Sequence, residues 1–246
     1  MMRDLSAIVL AAGKGVRMNS PLPKCFHKLA GKPLLQHVLE TIKELGIKNI
    51  YVVVGHQKEV IEDYFKDWPV TFVHQKEQLG TGHAVMICEE EFKKNPTGSV
   101  LVLAGDVPLL KAKTLRNLID FHIKNNAAAT DLTAELPDAG NYGRILRDSD
   151  GRIVKIVEKK DATPEELAIK EINTGTFCFD SEALFFTLKE VKADNAQKEY
   201  YLTDTIGILR QKGKPVFACL APDYCETLGI NTPQELIDLE RHCLRK

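Results

Sequence analysis

The chain of 246 residues is 44% hydrophobic and 27% charged, so it can bury a large core, and this composition excludes a disordered protein. Its 33 Lys and Arg side chains are balanced by 34 Asp and Glu, and the net charge of −1 argues against a protein that coats nucleic acid or anionic lipid. The six cysteines are scattered without a C-x-x-C pair, which makes a zinc site or a disulfide framework implausible.

The predicted elements begin with short apolar runs that alternate with helical patterns through the first half of the chain. Predicted strands cover 7–10, 50–54, 70–73 and 100–103, and predicted helices cover about 33–45, 58–65 and 81–91. Strands that are apolar throughout are typical of a parallel sheet with helices on both faces. We therefore predict a Rossmann-like α/β fold whose ligands bind at the carboxyl ends of the strands.

The first predicted strand runs directly into a glycine-rich, basic loop, LAAGKGVRMNSPLPK, from Leu10 to Lys24. An isolated G-x-G is more often only a tight turn. Met18 stands where a dinucleotide fingerprint needs its third glycine, and a Walker motif is absent, so hydride transfer and P-loop ATPase chemistry are disfavoured. With Arg17 and Lys24 at hand, the backbone amides of this loop are suited to wrap a phosphate chain.

A later strand ends in VLVLAGDVPLL, which places Asp106 at its tip. A strand-end aspartate often only caps a loop, but here it opens on the same crevice as the glycine-rich loop.

After about residue 127 the pattern changes to AAATDLTAEL, GRILRD and GRIVKIVEK, with a hairpin turn at 149–151. This predicts a smaller antiparallel region that extends the sheet or covers its carboxyl edge. The chain ends in a predicted helix with a capping box at Thr232 and Glu235 and with Pro233 at the first helical position.

No apolar run in the chain is long enough for a membrane span, and the amino end lacks the apolar stretch of a signal peptide. We therefore expect a cytoplasmic protein that contacts neither membrane nor nucleic acid. The seven histidines show no metal-ligand spacing, and the cysteines are expected to be reduced.

The stretch from Leu10 to Lys24 resembles the signature L-x-x-G-x-G-T-R-M-x(4)-L-P-K of the sugar-phosphate nucleotidyltransferases. More narrowly, the chain resembles the uridylyltransferase domain of bacterial N-acetylglucosamine-1-phosphate uridylyltransferases. The segments that carry this resemblance span nearly the whole chain: PLPKCFHKLAGKPLLQHV, QKEQLGTGHAV, AGDVPLL, NYGRI, IVEKKDAT, EINTGTF, KEYYLTD and GIN.

The resemblance implies an enzyme that makes UDP-N-acetylglucosamine and pyrophosphate from UTP and N-acetylglucosamine 1-phosphate, with Mg²⁺ as cofactor. The sugar phosphate, already ionised near neutral pH, attacks the α-phosphorus, so no general base is needed. Arg17, Lys24 and Asp106 are the implied catalytic residues, and Asp106 and Asn231 are the implied metal ligands. On its own, Asn231 would be interpreted as the turn before the last helix.

The resemblance also assigns the binding residues. The nucleotide is implied to contact Leu10, Ala11, Ala12, Gly13, Lys14, Gly15, Gln75, Gln78, Gly80, Thr81 and Gly105. The sugar is implied to contact Gly143, Glu158, Asn173, Tyr201 and Thr203. The glutamine carboxamides can both donate and accept toward the edge of uracil.

Two of these residues have simpler interpretations. Thr81 is suited to cap a helix, and Glu158, among three lysines, is suited to a surface ion pair. The chain also departs from the family pattern: Val16 replaces a signature threonine, and Ala104 stands where some relatives have tyrosine, which puts one wall of the sugar site in doubt.

We predict a single domain over 1–246, with a nucleotide-binding half of about 1–126, a sugar-binding half of about 127–230 and a C-terminal helix in 231–246. The hexapeptide-repeat β-helix of the bifunctional relatives is absent, so this chain, unless it is an excised fragment, is expected to lack acetyltransferase activity and to form a monomer or weak homodimer. One alternative is transfer of a uridylyl or thymidylyl group to another sugar 1-phosphate, such as glucose 1-phosphate. Another is a domain that binds sugar nucleotide without catalysis.

Overall fold

The computed structural model describes residues 4–243, so the end of the predicted C-terminal helix, 244–246, lies outside the described residues. The strands are β1 (Leu5–Leu10), β2 (Lys28–Leu29), β3 (Lys32–Pro33), β4 (Asn49–Val54), β5 (Thr71–His74), β6 (Ser99–Ala104), β7 (Ala129–Glu135), β8 (Arg144–Arg147), β9 (Ile153–Val157), β10 (Glu171–Asp180) and β11 (Val216–Leu220). The α-helices are α1 (Leu34–Glu44), α2 (Lys58–Tyr64), α3 (Thr81–Met86), α4 (Glu89–Phe92), α5 (Ala112–Lys124), α6 (Pro164–Leu167), α7 (Ser181–Leu188), α8 (Asp204–Gln211) and α9 (Pro233–Cys243).

Nine of the described strands form one mixed sheet with the order β11-β7-β10-β6-β1-β4-β5, to which β8 and β9 are attached through β10. Strands β6, β1, β4 and β5 run parallel, and β11 is parallel to β7. Strand β10 is antiparallel to both β6 and β7, so it joins the parallel first half to the strands of the second half. The predicted α/β fold with a mostly parallel sheet is confirmed.

The sheet is buried on both faces because strands β1, β4 and β6 consist mostly of apolar residues. On β1, Ala7 and Val9 pack into one core cluster while Ile8 packs into the other, on the opposite face. This alternation follows from the two-residue period of a strand. Helix α1 covers the first face with side chains spaced three or four residues apart: Leu35, Val38, Leu39 and Ile42.

Several elements differ from the sequence prediction. The single helix predicted over 81–91 is two helices, α3 and α4, separated by a break at 87–88. The short hairpin of β2 and β3 was not predicted, and its turn uses Ala30 and Gly31, both with positive φ. The antiparallel region is confirmed by the β8–β9 hairpin, whose turn is closed by the amide of Gly151 donating to the carbonyl of Asp148 at 2.9 Å.

The last helix begins as predicted. Thr232 Oγ1 accepts a hydrogen bond from the amide of Glu235 at 3.2 Å, and the Glu235 carboxylate accepts one from the amide of Thr232 at 3.0 Å. This reciprocal pair is a capping box. Within residues 4–243, none of the helices is long and apolar enough to cross a membrane.

Candidate active site

The glycine-rich loop leaves β1 at the edge of the sheet where β6 also ends. The amide of Gly105 donates to the carbonyl of Leu10 at 2.9 Å, and a Cβ on Gly105 would lie only 3.1 Å from that oxygen. Ala11 and Ala12 are buried at the start of the loop, whereas Gly13 and Lys14 are exposed. The residues that follow these two strands and are predicted to bind the nucleotide therefore lie at the same edge of the sheet.

Gly15 allows the loop to close on Lys24. Its φ is +60°, and a Cβ there would lie 2.6 Å from the Cβ of Lys24, so a larger residue would push the two segments apart. A single 3₁₀ turn at Val16–Met18 then presents Arg17, and a second turn at Lys24–Phe26, entered from Pro23, presents Lys24. Both cations thus come from short, tightly turned segments.

The predicted catalytic and metal-binding residues meet at one point. Lys24 Nζ donates to Asn231 Oδ1 at 2.7 Å, and Arg17 Nη2 donates to the same oxygen at 2.9 Å. The ammonium of Lys24 also pairs with the carboxylate of Asp106. Two cations, a carboxylate and a carboxamide oxygen therefore contact one another although Arg17 and Asn231 lie 214 residues apart in the chain.

Asp106 and Asn231 fit a magnesium ion that arrives with phosphates. They supply a carboxylate and a carboxamide oxygen, which are both hard ligands and which both contact the Lys24 ammonium. Among the described residues, no group of three or more His, Cys, Asp or Glu side chains could hold a metal by itself. The remaining ligands would therefore be substrate oxygens and water, which is the usual way in which Mg²⁺ binds in phosphoryl-transfer sites.

The predicted uracil loop follows β5 and is held by its own glutamines. Gln75 is buried; its Nε2 donates to the carbonyl of Gly80 at 3.1 Å and lies 3.0 Å from His83 Nδ1. Gln78 Nε2 donates to the carbonyl of Gln75 at 3.1 Å. Thr81 does not cap α3: its hydroxyl accepts a hydrogen bond from the amide of Leu202 at 3.1 Å, so the helix-cap interpretation is wrong.

The four residues Arg17, Lys24, Asp106 and Asn231 are called the cation cluster below. A cavity of about 650 Å³ opens beside this cluster. Its wall includes Arg17, Asp106, Gly143, Glu158, Asn173 and Asn231. Gly143 leaves room in this wall, because a Cβ there would lie 3.1 Å from Ile156 Cγ2 and 3.5 Å from Glu158 Oε2. The cavity therefore extends from Arg17 of the glycine-rich loop to the residues that the resemblance assigns to the sugar.

Glu158 points into this region instead of forming a surface ion pair. The three lysines around it contact other residues: Lys155 pairs with Glu166, Lys159 donates to Asn141, and Lys160 donates to Gln197. Burial raises the pKa of Glu158, while a hydrogen bond from Thr203 Oγ1 at 3.1 Å lowers it.

Tyr201 and Thr203 lie behind the cavity wall and form no part of it in the described structure. Thr203 contacts Glu158, and Tyr201 donates to Asp161 Oδ2 at 3.3 Å. Burial raises the pKa of Tyr201 to about 12. Thr203 therefore supports the cavity wall from outside, through its contact with Glu158.

Tyr142 and Glu235 also belong to the site, and sequence reasoning did not single them out for it. Tyr142 lines the cavity, and its hydroxyl accepts a hydrogen bond from the amide of Gly229 at 2.9 Å. The Glu235 carboxylate accepts a hydrogen bond from the amide of Asn231 at 2.6 Å. The NYGRI motif and the capping box marked these positions, but neither pattern reveals a contact with a distant loop.

Comparison with known proteins identifies the family. The nucleotidyl transferase family matches residues 6–242. The chain belongs to this family. It is 48% identical over 235 residues to the bifunctional protein GlmU of Streptococcus agalactiae serotype V, covering 96% of this chain and 51% of that protein. It is 49% identical over 225 residues to the bifunctional protein GlmU of Shouchella clausii, covering 92% and 49%.

The chain thus spans about half the length of these nucleotidyl transferase relatives. A UDP-glucose pyrophosphorylase complexed with UDP-glucose has the same fold, with a TM-score of 0.81 over 100% of this chain and 99% of that one at 19% identity. HddC from Yersinia pseudotuberculosis complexed with GMP-PN aligns with a TM-score of 0.69 over 97% and 99% at 21% identity. At such low identities these two structures show the nucleotidyl transferase fold alone.

Proposed function

We propose that this chain forms UDP-N-acetylglucosamine and pyrophosphate from UTP and N-acetylglucosamine 1-phosphate. The observation that carries the proposal is the meeting of Arg17, Lys24, Asp106 and Asn231 at the mouth of a cavity of about 650 Å³. Two cations beside two hard oxygen ligands suit a triphosphate with its metal, and the cavity suits a sugar. The relatives named bifunctional protein GlmU, at 48–50% identity, support this assignment.

In this proposal the glycine-rich loop binds the triphosphate through its backbone amides. Arg17 and Lys24 transfer their hydrogen bonds from Asn231 to phosphate oxygens and stabilise the charge that develops on the α-phosphoryl group and the leaving pyrophosphate. Asp106 and Asn231 would hold Mg²⁺, which would supply a compact positive charge that stabilises the phosphates. The sugar phosphate is the nucleophile and is ionised near neutral pH, so the residues contribute mainly position and charge.

Specificity is proposed to reside in the two flanking regions. Gln75, Gln78 and Thr81 would select uracil on the nucleotide side, 1–126. Glu158 and Asn173 would hydrogen-bond the sugar hydroxyls on the other side, 127–230. Asn173 is itself oriented, because its Oδ1 accepts a hydrogen bond from the amide of Gly175 at 2.8 Å.

Pyrophosphate release tests the proposal directly. We would measure it with UTP, Mg²⁺ and N-acetylglucosamine 1-phosphate, beside glucose 1-phosphate, dTTP and a reaction without metal. Rapid, metal-dependent release with the acetylated sugar and UTP supports the proposal. A large preference for glucose 1-phosphate or dTTP would contradict the substrate assignment, and no release with any pair would favour a binding domain.

A further inference from the structure

A hydrogen bond joins the sugar cavity to the segment that carries Asn231. The hydroxyl of Tyr142, in the cavity wall, accepts a hydrogen bond from the amide of Gly229 at 2.9 Å. The contact bridges 87 residues of chain. On the next residue of the segment, the amide of Ile230 donates to the carbonyl of Asp106 at 3.0 Å, so Gly229–Asn231 is attached both to the cavity and to the tip of β6.

Gly229 connects Tyr142 to the side chain of Asn231 through two hydrogen bonds. While its amide is bound by Tyr142, its carbonyl accepts a hydrogen bond from Asn231 Nδ2 at 3.4 Å. With the NH₂ group turned toward Gly229, the carboxamide presents Oδ1 to Lys24 and Arg17, on the side where the phosphates and the cation are proposed to lie. The orientation of this ligand oxygen therefore depends on the position of one glycine.

Tyr142 is in turn held in place by Arg144. The guanidinium of Arg144 is buried and donates to the carbonyls of Ala139 at 3.3 Å, of Gly140 at 3.2 Å and of Tyr142 itself. These bonds pin the loop at 139–142 so that the phenol ring forms cavity wall while its hydroxyl reaches Gly229. A loop fixed in this way can position a partner without itself contacting the reacting atoms.

We propose that Tyr142 is a positioning residue that orients Asn231 toward the metal through Gly229, so that metal affinity depends on the loop at the sugar cavity. The inference rests on the proposed function for its kinetic consequence. Its structural content, that the Tyr142 hydroxyl holds the Gly229–Asn231 segment, stands on the hydrogen bonds alone.

The test is Tyr142→Phe, which keeps the ring in the cavity wall and removes only the hydroxyl. We expect the half-saturating Mg²⁺ concentration for pyrophosphate release to rise about 10- to 100-fold, as when groups that orient a metal ligand are removed. The KM for the sugar phosphate should change less than about threefold, because the ring still fills the same space. Mn²⁺ binding in the presence of UTP without sugar phosphate, followed by electron paramagnetic resonance, should weaken by the same factor as the Mg²⁺ dependence.

Tyr64→Phe is the matched control. Its hydroxyl also makes a hydrogen bond, to Gln36 Oε1 at 2.9 Å, but on the protein surface. This variant should retain the wild-type Mg²⁺ and Mn²⁺ dependence. Unchanged metal dependence in Tyr142→Phe would overturn the inference.

A measurement on the wild-type chain keeps the inference independent of any variant. The amide of Gly229 should exchange slowly with solvent in the free protein, because its hydrogen is bound to Tyr142. Fast exchange at Gly229 would contradict the hydrogen bond on which the inference rests. If the wild type released no pyrophosphate, the proposed function would fail, while Gly229 exchange and Mn²⁺ binding with UTP would still decide the role of Tyr142.

Discussion

The Lys24 ammonium contacts both the Asp106 carboxylate and the Asn231 carboxamide, so the charge of Asp106 is already compensated within the candidate active site before substrate enters. Leaving the buried Asp106 unpaired would cost more than exposing a surface carboxylate. In the proposed reaction, Lys24 and Asp106 would each exchange a protein partner for a phosphate or a metal ion, so neither charge would be left unpaired. Electrostatic stabilisation by such preorganised charges is usually the largest single contribution to the rate enhancement of an enzyme.

The first prediction concerns Lys24→Met, which keeps an unbranched side chain but removes the charge. Turnover should fall about 10²- to 10³-fold, because no other group replaces the ammonium beside the transferred phosphoryl group. The free energy of unfolding should change by only about 1–2 kcal/mol, since Asp106 loses one partner. Steady-state kinetics and urea unfolding measure the two effects separately.

The control is Lys32→Met, because Lys32 pairs with Glu40 at 2.9 Å on the surface. An exposed pair contributes about 1 kcal/mol at most, and the kinetics should be those of the wild type. If Lys24→Met retained wild-type turnover, the proposed role of the cation cluster would be wrong.

The second prediction concerns Asp131 on β7, a fully buried carboxyl group whose two oxygens have no hydrogen-bond partner within the described part of the chain. Burial raises the pKa of Asp131 well above its usual value, the Glu171 carboxylate adds to the rise, and Arg147 opposes it. The folded state therefore retains a proton that the unfolded state releases above pH ~4. Stability should fall as pH rises from there to the folded-state pKa.

The variant Asp131→Asn removes this proton linkage. Its stability advantage over the wild type should grow by about 1.4 kcal/mol for each pH unit in that interval. Urea unfolding at several pH values between 4 and 8, with the exposed Asp63→Asn as control, measures the difference. Parallel pH profiles for wild type and Asp131→Asn would show that Asp131 does not titrate in this way.

Sequence reasoning could place some of these residues and not others. Arg17, Lys24 and Asp106 follow the ends of parallel strands, and such ends meet at one edge of a sheet. Asn231 lies 207 residues from Lys24, so only the family resemblance pointed to it. Tyr142 was missed because its hydroxyl acts on a backbone amide 87 residues away, a contact that no local pattern encodes.

At the scale of elements, the loop before α3 is locked against the segment at 199–203. The amide of Gly82 donates to the carbonyl of Tyr200 at 2.7 Å, and the amide of Tyr200 donates to the carbonyl of Leu79 at 2.8 Å. Gly80 makes this approach possible, because its φ is +109° and a Cβ there would lie 2.6 Å from the Tyr200 carbonyl oxygen. The proposed uracil loop is therefore held by residues from the other half of the chain.

The third prediction follows from this contact. Gly80→Ala should raise the KM for UTP, since the added methyl group must push the loop away from Tyr200. It should also lower the free energy of unfolding by about 1–3 kcal/mol, because alanine is strained at this backbone conformation. Enzyme kinetics with varied UTP and thermal unfolding measure the two effects.

The comparison is Gly46→Ala, where φ is +76° but a Cβ would meet nothing within 4 Å. This variant should lose stability through backbone strain alone and keep the wild-type KM. An unchanged KM for UTP in Gly80→Ala would show that this loop does not take part in nucleotide binding.

The elements themselves were predicted unevenly. In the first half of the chain, apolar runs predicted four strands, and helical patterns predicted two helices. The predicted bounds of these six elements lie within about two residues of the observed ones. Strand β10 gave no clear pattern because Asn173, Thr174 and Thr176 interrupt it and are nevertheless buried in the sheet. Its register shift between Asn173 and Phe177 further disturbs the two-residue period.

At the scale of the whole molecule, a chain of net charge −1 concentrates cations at one edge of a sheet. Across residues 4–243, no group of three or more His, Cys, Asp or Glu side chains could hold a metal ion, and we predict that the proposed cation binds together with the substrates. The predicted oligomeric state, a monomer or weak homodimer, stays a prediction that light scattering tests.

The fourth prediction is that a chelator abolishes turnover without unfolding the protein. EDTA should stop pyrophosphate release and shift the unfolding temperature by less than about 1 °C, because the metal does not stabilise the free fold. UTP with Mg²⁺ at about 100 times Kd should instead stabilise the protein by about 2.7 kcal/mol. Differential scanning calorimetry measures both shifts, and a large loss of stability in EDTA alone would reveal a structural metal.

The bond between Arg17 and Asn231 has a consequence for how the protein is made. Synthesis starts at the amino end, so Arg17 leaves the ribosome 214 residues before Asn231 does. The growing chain can pair β1, β4, β5 and β6 early, yet any nascent chain that stops before Asn231 lacks part of the cation cluster. The site can therefore form only after both of these segments have been synthesised, and contacts of such long sequence separation are intrinsically slow to form.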